Sequence, residues 1–204
     1  MNKKVIGILV CLVLAAGIYF ATGKTEKQET SSAEYKDTIV FAANTDILTH
    51  DPQVQNDTTS EQVVRMIYNT LLKFEDDGKV IGDLAESWGV SEDGLTWTIK
   101  LKQGVKFHNG KEVTAADAKA TYERALNAKG GGFRTTEIIK IFKKMEAPDK
   151  YTLKITTSVP YGPMEALLCN LSLAVMDAEV LTKHGLELGN HVEAENGTGP
   201  YKLV

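Results

Sequence analysis

Cysteine is almost absent: 204 residues contain two, Cys11 and Cys169. Cys11 lies in an apolar N-terminal run, and Cys169 lies in Leu167-Leu168-Cys169-Asn170-Leu171. A bond between them would tie a membrane-seeking segment to a folded body, so a disulfide framework is excluded. Cys169 reads as a small buried apolar residue. Excess positive charge is also missing. Lys and Arg number 23 against 27 Asp and Glu, for a net charge of -4, and no basic run is interleaved with aromatics. Nucleic acid is therefore excluded as a partner. Catalytic signatures are lacking too. There is no G-x-S-x-G, and Gly130-Gly131-Gly132 lacks the Lys-Ser/Thr of a phosphate loop. The four histidines, His50, His108, His184 and His191, show no metal-ligand spacing. Asp76-Asp77 and Glu92-Asp93 sit in turn contexts, where acids are ordinary. An enzyme, a cofactor and a metal are accordingly not expected. No internal repeat is visible.

What remains is ordinary globular material, 43% hydrophobic and 25% charged, behind an unusual start. Lys3 and Lys4 precede a weakly polar run from Val5 to Thr22, and a polar stretch follows. Residues 1–23 read as an export signal peptide or a membrane anchor on residues 5–22. Ala21-Thr22-Gly23 offers a cleavage site, and both alternatives stay open. The positive end stays in the cytoplasm and the rest is delivered outside. Lipidation at Cys11 is disfavoured, because Val10 precedes it and the apolar Leu12–Phe20 follows. Residues 24–36, rich in Glu, Lys, Ser and Thr, read as a disordered tether. The folded body spans residues 37–204.

Within that body, Thr38–Ala43 reads as a buried strand, followed by the polar loop Asn44-Thr45-Asp46 and a turn at Asp51-Pro52. A helix is expected over Thr59–Leu72, with Thr59 and Gln62 as a capping box. Val63, Ile67 and Leu71 form one ridge on it, and Val64, Tyr68 and Leu72 the next. Asp76-Asp77-Gly78 turns the chain. Trp88 and Val90 share a strand face, Glu92-Asp93-Gly94 reverses direction, and Leu95, Trp97, Ile99 and Leu101 alternate as a half-buried antiparallel strand. Both tryptophans read as core. Val105–Phe107 suggests a further short strand before the Asn109-Gly110 turn, beside which His108 makes a local hydrogen bond. Thr114 and Asp117 cap a helix to about Ala128, ended by Gly130-Gly131-Gly132. Lys140–Ala147 reads as the first strand of a hairpin through Pro148-Asp149-Lys150 in preference to a helix. Pro163 starts a helix with Met164, Leu167, Leu168 and Leu171. Asp177 caps a short helix ending near Gly185. The order is mixed, neither strict βαβ nor pure β.

The segment Asp83–Thr114, DLAESWGVSEDGLTWTIKLKQGVKFHNGKEVT, carries further meaning. Its blocks Leu84–Trp88, Asp93–Trp97, Gly104–Gly110 and Thr114–Asp117 occur in the order of a known signature. Asp51-Pro52, Tyr68–Leu71, Tyr151–Ile155 and Gly197–Tyr201 extend the match. The ordered set resembles the extracellular solute-binding family 5, the substrate-binding proteins of peptide- and nickel-type ABC importers. The departures are Asn69 where Glu is frequent, His50 where Leu is usual, Asp83 where Pro is common, and Ala118 where a bulkier aliphatic residue is common.

This resemblance implies a mixed α/β (α+β) fold of the type II periplasmic-binding-protein kind, mostly its first lobe, with a mixed sheet and flanking helices. Members are longer, so the resemblance implies an N-terminal portion whose second lobe is largely missing. It implies an extracytoplasmic, monomeric peptide-binding component that delivers its solute to an ABC permease in the cytoplasmic membrane. Nickel chelates or glutathione-type solutes on the same scaffold, or a remnant that binds nothing, are the alternatives. The implied ligand residues are Asn44, Thr45 and Asp46 after the first strand, Tyr68, and Thr198 and Gly199 near the lobe junction. Asp46 offers a carboxylate to a peptide ammonium.

Overall fold

A computed structural model describes residues 42–127, 139–191 and 196–203. The signal or anchor, the tether, most of the Thr38–Ala43 strand and the Gly130–Gly132 helix stop lie outside these residues. Ala42 and Ala43 are exposed and not in a strand. Among the described residues no helix is long and apolar enough to cross a membrane.

Helix α1 covers Thr58–Ile67, and its start differs from expectation. Asp57, not Thr59, is the cap: its Oδ1 accepts the Ser60 N–H at 2.8 Å. Ser60 Oγ in turn accepts the N–H groups of Leu48 (3.0 Å) and Thr49 (3.3 Å), which holds the preceding loop to the helix. The helix also ends early. Tyr68 adopts extended backbone, φ -120° and ψ 150°. Thr70 and Leu71 carbonyls then accept N–H groups from Asp83, Leu84 and Ala85. Leu71 and Leu72 are both fully buried, so the apolar spacing that suggested helix is satisfied by extended chain crossing the core. Tertiary pairing outweighs local periodicity here.

Strands β1 (Leu72–Phe74) and β2 (Val80–Gly82) form a small hairpin. Strands β3 (Ala85–Val90), β4 (Thr96–Leu101), β5 (Phe142–Asp149) and β6 (Thr152–Thr157) form a four-stranded antiparallel sheet in the order β3-β4-β6-β5. Its register opposes Trp97 to Ile155 and Ile99 to Leu153, so the inward residues of both central strands meet. The hairpin expected around Pro148-Asp149-Lys150 is present. Val105–Phe107 does not form a strand; only Lys106 and Glu112 make a bridge. Helix α2 (Ala115–Asn127) packs on β5 and β6. Thr114 donates its N–H (2.9 Å) and hydroxyl (2.6 Å) to Asp117 Oδ2 at the start of α2. Helix α3 is Met164–Leu168, and α4 is Ala178–His184, capped by Asp177 and ended at Gly185 as expected. Trp97 is core; Trp88 is half-buried and donates its Nε1–H to Glu165 Oε1 on α3 at 2.7 Å.

Buried charge joins these elements. Lys111 Nζ contacts Asp177 Oδ1 at 2.5 Å and Asp117 Oδ1 at 3.2 Å, and both carboxylates are almost fully buried. Asp177 Oδ2 also accepts from Asn109 Nδ2 (3.0 Å) and Asn196 Nδ2 (2.9 Å). Burial alone would lower the Lys111 pKa, but the hydrogen bond to Asp177 and the charge of Asp117 hold it above the ordinary 10.5. For Asp177, burial pushes upward, yet the Lys111 and backbone hydrogen bonds leave it below 3.8. A second knot ties Arg124 on α2 to Asp51: Nη2 to Oδ2 is 2.5 Å, and Arg124 Nε donates to the Gly185 carbonyl at 3.1 Å. The Asp51-Pro52 turn is thus anchored by a buried ion pair.

Replacing Lys111 with Met leaves two buried carboxylates without their cation, and should lower unfolding free energy by about 3–5 kcal/mol in urea denaturation. The pH dependence has a definite sign. The Asp177 contribution is complete above 3.8 and is lost as pH falls through its depressed folded value. The Lys111 contribution is complete below 10.5 and is lost only above it, as pH rises through its raised folded value. The native protein should therefore hold a stability plateau between these limits. The Lys111→Met protein, destabilised at neutral pH, should show a smaller acid-side decline, because carboxylates deprived of their cation bind protons more readily in the folded state.

Candidate functional site

The extended segment after α1, the β1–β2 hairpin and the end of α3 line a half-open cavity of about 710 Å³. This is within the roughly 300–1,000 Å³ range of small-molecule sites. Its walls carry Gln55, Glu61, Arg65, Tyr68, Asn69, Thr70, Lys73, Phe74 and Asp83, faced by Ala166, Cys169 and Asn170–Ser172. Each side chain has a local reason for its place. Glu61 and Arg65 share a helix face one turn apart and pair at 2.6 Å. Tyr68 sits where α1 stops, and is 3% exposed. Asn69 and Thr70 lie in the extended stretch that reaches Asp83.

Asp83 has a partner on each carboxylate oxygen. Its Oδ2 accepts from Asn69 Nδ2 at 2.9 Å and from the Thr70 N–H at 3.2 Å, and its Oδ1 is 3.5 Å from Lys73 Nζ. Asn69 is itself held: its Oδ1 accepts the Thr198 hydroxyl at 2.9 Å, and its carbonyl accepts the Val175 N–H at 2.9 Å. Gln55 is buried, and its Oε1 has no hydrogen-bond partner among the described residues. Cys169 is half-buried on the cavity wall, not a core residue as expected. Burial, then the Glu165 and Asp83 carboxylates, push its thiol up to about 11. It is therefore a protonated thiol at neutral pH, and among the described residues no histidine lines the cavity beside it. The arrangement suits non-covalent binding of a polar solute.

The residues expected from sequence are dispersed. Asn44, Thr45 and Asp46 are exposed and do not line this cavity; Thr45 shares a hydroxyl–hydroxyl hydrogen bond with Thr59 at 2.9 Å. Tyr68 lines it. Thr198 stands behind the wall, reaching it through Asn69. Gly199 donates its N–H to the Ile67 carbonyl at 2.7 Å, and its carbonyl accepts from His108 Nε2 at 2.8 Å. The His108 bond is therefore long-range, not local. A Cβ on Gly199 would lie 2.4 Å from the Met66 carbonyl oxygen, so close backbone approach, without positive φ, requires glycine. Asn69, Lys73, Asp83 and Gln55 were not anticipated. The signal for two of them was present: Asn69 and Asp83 are departures from the family wording, and the structure joins them in one hydrogen bond.

A family model described as "Bacterial extracellular solute-binding proteins, family 5 Middle" matches residues 79–204. The chain belongs to this family. Its neighbours place the fold among type II periplasmic binding proteins, as expected. The glutathione-binding protein GsiB of Pectobacterium atrosepticum is 36% identical over 169 residues, covering 83% of this chain and 32% of that protein. The structure of the PBP AgaA in complex with agropinic acid, from A. tumefacien R10, is 35% identical with a TM-score of 0.71, covering 77% of this chain and 31% of the other. The periplasmic binding protein DppA from Helicobacter pylori, in complex with peptide STSA, is 28% identical with a TM-score of 0.65, covering 76% and 34%. The chain thus spans about a third of the length of these relatives.

Two outcomes are expected of this site. Gly199→Ala should break the Gly199–Ile67 and Tyr201–Met66 backbone bonds, costing about 1–3 kcal/mol by overpacking and raising amide exchange at both positions. In a Cys11→Ser protein, Cys169 should alkylate about 100-fold more slowly at pH 8 than an ordinary thiol, the factor given by its thiolate fraction. Peptide mapping by mass spectrometry reads this rate, which should climb about tenfold per pH unit up to pH 10.

Proposed function

We propose that this chain serves as the extracytoplasmic solute-binding component of an ABC importer and captures peptides without covalent chemistry. The captured solute would be enclosed between two lobes and handed to a permease in the cytoplasmic membrane. The observation that carries this reading is the polar cavity bounded by Arg65, Tyr68, Asn69, Lys73 and Asp83, set in a family 5 chain. Its volume matches a short peptide, and its walls present both charge signs and amides, the groups that complement a peptide's termini and backbone. In this reading the loop Asn44-Thr45-Asp46 contributes from outside the cavity, and Thr198 acts from behind its wall by holding Asn69. Relatives named for glutathione, itself a tripeptide, favour a glutathione-type solute as the second reading. Extracytoplasmic placement agrees with the family description and with the apolar run on residues 5–22.

Isothermal calorimetry of the purified protein against dipeptides, tripeptides, longer peptides, glutathione and nickel–histidine should show saturable heat with at least one peptide class. Heat from glutathione alone would select the second reading. Silence across every peptide and glutathione would remove both.

A further inference from the structure

Two imidazoles meet outside the cavity. His184 ends α4, and His191 follows the 3-10 turn Gly185–Asn190. Their ring centroids lie 4.7 Å apart, with the planes inclined at 50°. Both residues are half-buried, which leaves the pair within reach of solvent. Their spacing in the sequence matches no metal motif, and the turn between them brings the rings together.

The backbone under each ring is fixed. Gly185, next to His184, donates its N–H to the Leu181 carbonyl, and its own carbonyl accepts from Arg124 Nε at 3.1 Å. The His191 N–H reaches the Leu188 carbonyl at 3.0 Å. Leu181 and Leu188 are buried in one apolar cluster. Gly189 lies so close to the loop before α1 that a Cβ there would strike Thr49 Oγ1. The turn is therefore pinned, and the rings are held near each other before any ligand arrives.

The separation of the rings has a chemical meaning. Two imidazole nitrogens on one ion at about 2.0–2.1 Å would hold their ring centres roughly 4.5 Å apart at a right angle, and roughly 5.2 Å apart at the tetrahedral angle. The observed 4.7 Å lies nearer the right angle, the relation between neighbouring ligands in a tetragonal site. Each imidazole has two nitrogens, so one can face an ion while the other keeps an orienting hydrogen bond. Among the described residues no third His, Cys, Asp or Glu completes a metal cluster, which leaves the other positions to water. We propose that His184 and His191 together bind one divalent transition-metal ion of tetragonal preference, copper(II) above all, at an open and exchangeable site. The bound ion staples the end of α4 to the chain that runs on to the Asn196–Gly199 strap.

CuCl2 is titrated by calorimetry into the full chain, stripped with EDTA, at pH 7.5. One equivalent should bind to the native protein. His184→Gln and His191→Gln should each weaken it at least about 10-fold, since even a partner behind a metal ligand is worth about 10–100-fold. The electron paramagnetic resonance spectrum of the native protein with one equivalent of Cu²⁺ should show splitting from two nitrogens. Copper should also raise the melting temperature of the native protein and not that of either variant. Absence of saturable copper binding, a spectrum without two nitrogens, or affinity undiminished in either variant overturns the assignment. Should a variant fail to fold, the nitrogen count in the native protein decides alone. Each outcome is independent of solute capture, because neither histidine lines the cavity.

Discussion

One lysine holds the described part of this molecule together. Lys111 follows the Asn109-Gly110 turn, caps no helix itself, and yet lies between the carboxylates at the start of α2 and α4. Asp117 organises the first turn of α2 and accepts the Ala178 N–H at 3.0 Å; Asp177 caps α4. Asn109 and Asn196 complete the shell around Asp177. Without the cation, two buried anions would face each other across the helix ends. With it, loop, helices and the Gly197–Gly199 strap share one polar centre. The stretch Gly104–Asp117 is thus a joint between helices and strap.

Much of the scaffold was legible because its signals were local. Alternation of Leu95, Trp97, Ile99 and Leu101 placed β4, and Asp177 with Gly185 bracketed α4. Failures arose where partners distant in sequence decide. The run Tyr68–Leu72 has helical spacing, but backbone pairing with Asp83–Ala85 pulls it straight. His108 next to a tight turn suggested a local bond, while the acceptor, the Gly199 carbonyl, lies 91 residues away. Cys169 looked like core because its neighbours Leu167, Leu168 and Leu171 are buried; it occupies the wall position among them.

The cavity was less legible than the fold for the same reason. Tyr68 could be nominated from its place in the signature. Asn69 and Asp83 looked like blemishes in that signature when taken singly. In the structure they are one arrangement, since an amide in place of the frequent Glu can donate to a carboxylate placed 14 residues later. A second carboxylate there would repel the first. Paired departures of this kind point to chemistry peculiar to a chain more directly than its matching words do.

The strap that ends the described chain has a consequence for how the protein is made. Thr198 bonds Asn69 across 129 residues, and Asn109 bonds Asn196 across 87. These closures wait until nearly the whole of this sequence has left the ribosome, and such non-local pairings are slow to form. Until then Asn69 on the cavity wall lacks its Thr198 clamp. A late-setting seam prolongs the loose state of the nascent chain.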